Sequence, residues 1–247
     1  KNHGPNIYSA LMGLVNSGAV LRTGSQPAYY SLSGADIVIP EKVMQPKKGV
    51  RDVSGDEITN ETIEEAGRIV AETDHYGPEM EMITRCLRRF PDNTDPDIVA
   101  MKVGLIDITN STHLSQHKSK ISMVELSSII ASIPDIDARI KAGDPEVVNL
   151  IARSNGKINL FSFASKYCCY HNRNLYERDD YSILDTVLKD YLPRYFGDVT
   201  RNQIQRWQDS FNYKAYNDYI TKKLDELGIT VEFRKRKFDL FVWYKNR

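Results

Sequence analysis

Cysteine is scarce in this 247-residue chain, net charge is absent, and no long apolar run occurs. The three cysteines, Cys86, Cys168 and Cys169, are too few for a disulfide framework, a four-cysteine zinc site or an iron–sulfur cluster, so no metal or cofactor is expected. Two of them are adjacent in apolar surroundings, which favours buried free thiols and a reducing, cytoplasmic location. Lys and Arg total 33 and are matched by 33 Asp and Glu. No global field therefore attracts nucleic acid, and a DNA-binding surface has to come from local segregation of charge. No secretory pattern is present and no apolar stretch is long enough to span a bilayer, so no membrane partner is expected. The sequence names no protein partner.

What is present is an ordinary globular composition, 41% apolar and 27% charged, long enough for one or two domains with a sizeable core. Residues 1–33 read as a small α+β segment. Apolar positions from Pro5 to Val15 keep helical spacing, and Asn16-Ser17-Gly18 ends that helix. Ala19 to Arg22, a Gly24-Ser25-Gln26-Pro27 turn and Ala28 to Leu32 then read as a hairpin. Helix followed by hairpin resembles the second half of a winged-helix domain, with a plain structural extension as the alternative. Residues 34–58 carry Pro40, Pro46, Gly49 and Gly55 without periodicity and read as a linker. From residue 59 to 247 the pattern is helical almost throughout, with Thr230 to Phe233 as the one further strand candidate. The fold class expected is mainly α.

Three features carry chemistry. The first is Lys166, in the apolar helix pattern Phe161-Ser162-Phe163-Ala164-Ser165-Lys166-Tyr167-Cys168. A lysine is a nucleophile only as the neutral amine, which apolar surroundings favour. The structural alternative is a lysine whose stem lies along the core with its head in water. The second is Asp185, which follows at 185 − 166 = 19 residues. It sits in the apolar run Tyr181 to Leu188, where a carboxylate is costly without a partner. It also suits the N-cap of the helix that follows, and the two roles are compatible. The segment between them, Tyr170 to Asp180, reads as a polar return loop with His171 as an acid–base candidate. The third feature is Thr109-Asn110-Ser111-Thr112-His113. This small, hydrogen-bonding loop follows an apolar helix and suits phosphate contacts or insertion into a duplex, or serves as an ordinary connection. Asp107, just before it, reads as a structural cap or pair. The basic run Arg234-Lys235-Arg236-Lys237 is either a nucleic-acid contact or a solvated face.

A helix–polar loop element, a lysine helix and an aspartate 19 residues on together resemble the helix-hairpin-helix DNA glycosylase superfamily, particularly its bifunctional 8-oxoguanine branch and the archaeal-type enzymes. The resemblance extends over residues 60–247. It implies a helical domain in which Lys166 attacks the anomeric carbon and Asp185 stabilises the developing sugar cation. It further implies that the loop Thr109 to His113 fills the gap left by a flipped base. Lys157 would join that loop on DNA, and Phe161, Tyr167, His171 and Trp243 are candidates for the base pocket. Where the family has a glycine-rich turn just before the lysine, this chain has Ser162-Phe163-Ala164-Ser165, and the nearest glycine is Gly156. The activity implied is base excision through a Schiff base, with strand cleavage, on double-stranded DNA carrying a flipped nucleotide. The alternatives are a non-catalytic DNA-binding or regulatory protein and a defence enzyme acting on modified invader DNA.

Overall fold

A computed structural model describes residues 20–23, 29–32, 51–74 and 76–246. The chain divides into two compact units, residues 1–49 and 50–247. In the first, the described residues form an antiparallel hairpin, β1 (Val20–Thr23) and β2 (Tyr29–Leu32), with Val20 opposite Leu32 and Thr23 opposite Tyr29. The helix expected from Pro5 to Val15 lies outside the described residues.

The second unit is mainly helical. Its elements are α1 (Asn60–Ala71), α2 (Tyr76–Arg89), α3 (Pro96–Asn110), α4 (Met123–Ala131), α5 (Ile136–Ala142) and α6 (Pro145–Arg153). They continue with α7 (Phe161–Tyr176), α8 (Thr186–Phe196), α9 (Arg201–Asp209), α10 (Tyr213–Glu226) and α11 (Arg234–Asn246). The starts are set by side chains that satisfy orphan backbone donors. Asp95 and Asp144 accept from the Asp97 and Glu146 N–H groups, with proline in the first turn of α3 and α6. Thr200 does the same for Gln203 in α9.

The unit starts ahead of the expected boundary at residue 59, because residues 51–58 are docked. Val53 is buried, the Arg51 backbone N–H donates to the Tyr191 hydroxyl, and the Tyr195 hydroxyl donates to Asp56. Other expectations shift as well. Residues 230–233 form a turn, α7 begins at Phe161, and the stretch to Tyr176 is helical where a polar loop was expected. The apolar run from Tyr181 stays non-helical up to Asp185, and α8 begins at Thr186. Helix α5 has too short an apolar pattern to stand out in the sequence.

Helix α7 runs through the middle of this unit. Of its first twelve residues all but Ser162 are buried, and α2, α3, α5 and α6 pack on it. The last helix, α11, returns to pack on α1, α8 and α10. This arrangement leaves one open side of α7, between α3, α8 and α11. Substitution of Ile151, fully buried on α6, by Ala is expected to lower unfolding stability by about 2–5 kcal/mol. Urea titration checks it, and an unchanged midpoint would contradict the packing described.

Candidate active site

Lys166 lies on the sixth residue of α7 and is 7% exposed. Its ammonium nitrogen is 3.5 Å from Asp185 Oδ2. The other oxygen of Asp185 accepts from the Leu188 N–H at 3.1 Å, so Asp185 is at once the N-cap of α8 and the partner of the lysine.

The pair is held by the extended segment before α8. Ser165 Oγ accepts from the Leu184 N–H at 3.1 Å, tying the residue before the lysine to the residue before the aspartate. Two tyrosine hydroxyls of α10 donate to that segment, Tyr213 to the Ser182 carbonyl at 2.8 Å and Tyr216 to the Ile183 carbonyl at 2.5 Å. Two residues further back, Asp180 accepts from Asn172 at 2.8 Å and lies against Gly143. A Cβ at Gly143 would stand 2.6 Å from Asp180 Cγ, and the residue has a φ of +75°, so only glycine fits there.

Lys166 and Asp185 open on a cavity of about 400 Å³. Thr109, Asn110 and Ser111 at the end of α3 line one side, and Arg236, Asp239 and Trp243 of α11 the other, with Tyr76 and Glu79 of α2. The Trp243 and Tyr76 rings are 5.1 Å apart at 33° and form an aromatic wall. Ile108, 79% exposed, stands at the rim.

The α11 wall is charged and tightly bonded. Arg236 is buried and donates to Asp239, to the Tyr76 hydroxyl at 2.6 Å and to the Tyr170 hydroxyl at 3.3 Å. Tyr170 in turn donates to Asn110, linking α11 to the α3 loop. Burial pushes the Asp239 carboxyl up to about 6 against the pull of Arg236, with Asp185 raising it further and Lys166 lowering it.

The basic run at 234–237 is thus not a solvated DNA-contacting face. Lys235 and Arg236 are buried, Lys235 donates to the Asp180 carbonyl, and Arg234 and Lys237 pair with Asp225 and Glu64. In a helix that packs on its neighbours, even a run of four cations turns two of them inward, where carboxylates meet them.

The remaining expected site residues divide. Thr109, Asn110 and Ser111 line the cavity, but the Thr109 and Asn110 side chains bond within the protein, to the Leu105 and Ile106 carbonyls. Thr112 donates to Asp107, which also accepts from the Leu114 N–H, so Asp107 closes the loop as a structural group. His113 and Lys157 are exposed and do not line the cavity.

Phe161, Tyr167 and His171 are not base-pocket residues. All three are fully buried in the core on other faces of α7. His171 stacks on Tyr167 at 4.1 Å and donates from Nδ1 to the Tyr167 carbonyl. Burial, reinforced by the charge of Lys102, pushes its pKa down to about 3. Lys102 is itself fully buried, bonded to Asn93 and the Asp92 carbonyl, with its pKa lowered by burial to about 8. Sequence reasoning missed Tyr76, Glu79, Arg236 and Asp239 at the cavity. The Arg236–Asp239 spacing of one helical turn was the available signal.

Among the described residues no group of His, Cys, Asp and Glu is arranged to hold a metal ion, and no helix is long and apolar enough to cross a membrane. The cysteines are free, with Cys168 and Cys169 buried and Cys86 partly so.

The family model HI_0787_N, described as an N-terminal domain, matches residues 60–175, from α1 through the lysine helix. A relative described as an uncharacterized protein of Haemophilus influenzae is 30% identical over 117 residues, 46% of this chain and 52% of the relative. The chain thus spans about half the length of the curated relative it matches. No solved structure matches.

The buried histidine gives a pH signature. Native His171 stays neutral down to about pH 3, whereas the unfolded chain takes up a proton near its ordinary value of 6.5. Unfolding therefore binds a proton in this window, and stability falls on acidification by up to about 1.4 kcal/mol per pH unit. Asp239 acts with the opposite sign between about 6 and 3.8 and is common to wild type and variant. His171→Gln is expected to lose the His171 contribution in urea titrations from pH 7 to 4. An identical pH slope in both proteins would contradict it.

Proposed function

We propose that this protein is a DNA glycosylase with strand-cleaving lyase activity, using Lys166 as nucleophile on a flipped, damaged or modified nucleotide. The observation that carries the reading is the pair of buried Lys166 and half-buried Asp185 opening on a cavity with an aromatic wall. A charged pair held this far from water is costly and needs a structural or chemical reason. Its placement at a cavity mouth, not in solid core, favours the chemical one.

Helices α6 and α7 and the loop at 154–160, with Gly156 at a φ of +76°, supply the helix–loop–helix of a helix-hairpin-helix unit, displaced from the glycine-rich position. Asn155 in this loop donates to the Lys120 carbonyl and to Glu125, bringing it beside the segment that follows the α3 loop. Two loops side by side suit a duplex backbone, and the exposed Lys157, Ser111 and His113 are the groups that would face it. The β1–β2 hairpin is read as the wing of a winged-helix segment.

In the reaction, the neutral Lys166 amine attacks C1′ and the C1′–N bond breaks, its electron pair leaving with the base, which takes up a proton. The C1′–O4′ bond then breaks and a proton passes from the nitrogen to O4′, giving the ring-opened Schiff base. Loss of a C2′ proton expels the 3′ phosphate by β-elimination and cleaves the strand. The Asp185 carboxylate lies where it offsets positive charge on the sugar during departure of the base. Tyr76 and Trp243 stack the base, whose extrusion costs a few kcal/mol and least at an unstable pair.

Lys166→Gln is expected to abolish base release on a panel of modified duplexes while leaving the circular dichroism spectrum intact. Undiminished release would overturn the assignment. Asp185→Asn keeps an equally good cap for α8 but removes the charge. It is expected to slow single-turnover excision about 100-fold or more, while the urea midpoint falls by what an unpaired Lys166 costs. A loss of stability with unchanged excision would assign Asp185 to a structural ion pair.

A further inference from the structure

We propose that Asp239 is a second acid–base group of this site, carrying the proton that Lys166 must lose to the base that departs. The inference rests on the glycosylase reading above and deepens it.

Asp185 is poorly placed to do both jobs. One of its oxygens is committed to the Leu188 N–H and the other faces the lysine, so its geometry suits a fixed negative charge. Asp239 lines the same cavity, is 6% exposed, and stands four residues before Trp243, on the helix that supplies the stacking ring. A carboxyl one helical turn from that ring lies at the edge of whatever base stacks there.

Arg236 holds the carboxyl in place with a buried ion pair and is itself fixed by the Tyr76 and Tyr170 hydroxyls. The groups that face Asp239 come from every element around it. They are Arg236 on α11, Lys166, Cys169 and Tyr170 on α7, Asp185 at the head of α8 and Tyr216 on α10. Together with burial they bring the carboxyl to about 6, where it exchanges a proton readily near neutral pH.

The proton count closes. The Asp239 carboxylate takes one proton from the Lys166 ammonium, leaving a neutral amine and a neutral carboxyl. The amine attacks C1′ as the C1′–N bond breaks, and the carboxyl gives its proton to the base nitrogen that receives the electron pair. Asp239 ends as it began, and on ring opening the C1′–O4′ bond breaks and O4′ takes up the second amine proton.

The test is single-turnover base release by full-length wild type, Asp239→Asn and Asp239→Glu from pH 5 to 8, beside strand cleavage at a preformed abasic site, where no base has to leave. Wild type is expected to lose rate below about pH 6. Asp239→Asn is expected to release base about 100-fold more slowly with no such acid limb, and to slow cleavage of the abasic site less, because there no departing base needs a proton. Asp239→Glu restores the limb at a shifted pH. A rate and acid limb unchanged in Asp239→Asn would overturn the proposal while leaving the glycosylase reading standing. So would an equal loss on both substrates that Asp239→Glu does not rescue, which marks a purely structural role. If Asp239→Asn does not fold, Asp239→Glu decides: an acid limb at the wild-type position with full rate on both substrates contradicts a titrating Asp239, and a shifted limb supports it. Absence of Lys166-dependent base release in wild type on every duplex of the panel would overturn the glycosylase reading and this inference with it.

Discussion

The structure of residues 50–247 is organised around a single electrostatic constraint, a lysine carried inside a helix that is buried along most of its length. An ammonium in that position needs a carboxylate, and removing one member of a buried pair costs on the order of 3–5 kcal/mol. Asp185 answers the charge of Lys166 at 3.5 Å. Holding it there requires an extended segment pinned by Ser165, Tyr213 and Tyr216 and an N-cap that fixes the carboxylate. Much of the polar architecture of α7, α8 and α10 follows from that placement.

A second pair, Arg236 with Asp239, is buried and lines the same cavity. The Asp239 carboxyl feels the charges of both Lys166 and Asp185. A cavity built this way is preorganised for a reaction in which positive charge appears on one group while a proton moves to another, because its dipoles need no rearrangement as the charge develops. Both pairs sit on helices fixed at several points.

Much of the helical architecture was legible in the sequence. Caps such as Asp95-Pro96 and Asp144-Pro145 mark helix starts through local hydrogen bonds, and these are written in neighbouring residues. The pairing of Lys166 with Asp185 was legible for a related reason, since two charges in apolar runs have few ways of being satisfied. What was not legible was which face each helix turns inward. Phe161, Tyr167 and His171 share a helix with Lys166, yet their directions depend on where α2, α3, α5 and α6 pack. The run at 234–237 looked like a solvated face because nothing local announces Asp179, Asp180 and Asp239 as its partners. Asp239 was hidden for the same reason.

The most direct test of the account is to trap the covalent intermediate and find the residue that bears it. Borohydride reduction during reaction with a modified duplex, followed by proteolysis and mass mapping, is predicted to place the deoxyribose adduct on Lys166 alone. An adduct spread over surface lysines such as Lys157, Lys214 and Lys222, with Lys166 unmodified, would contradict it.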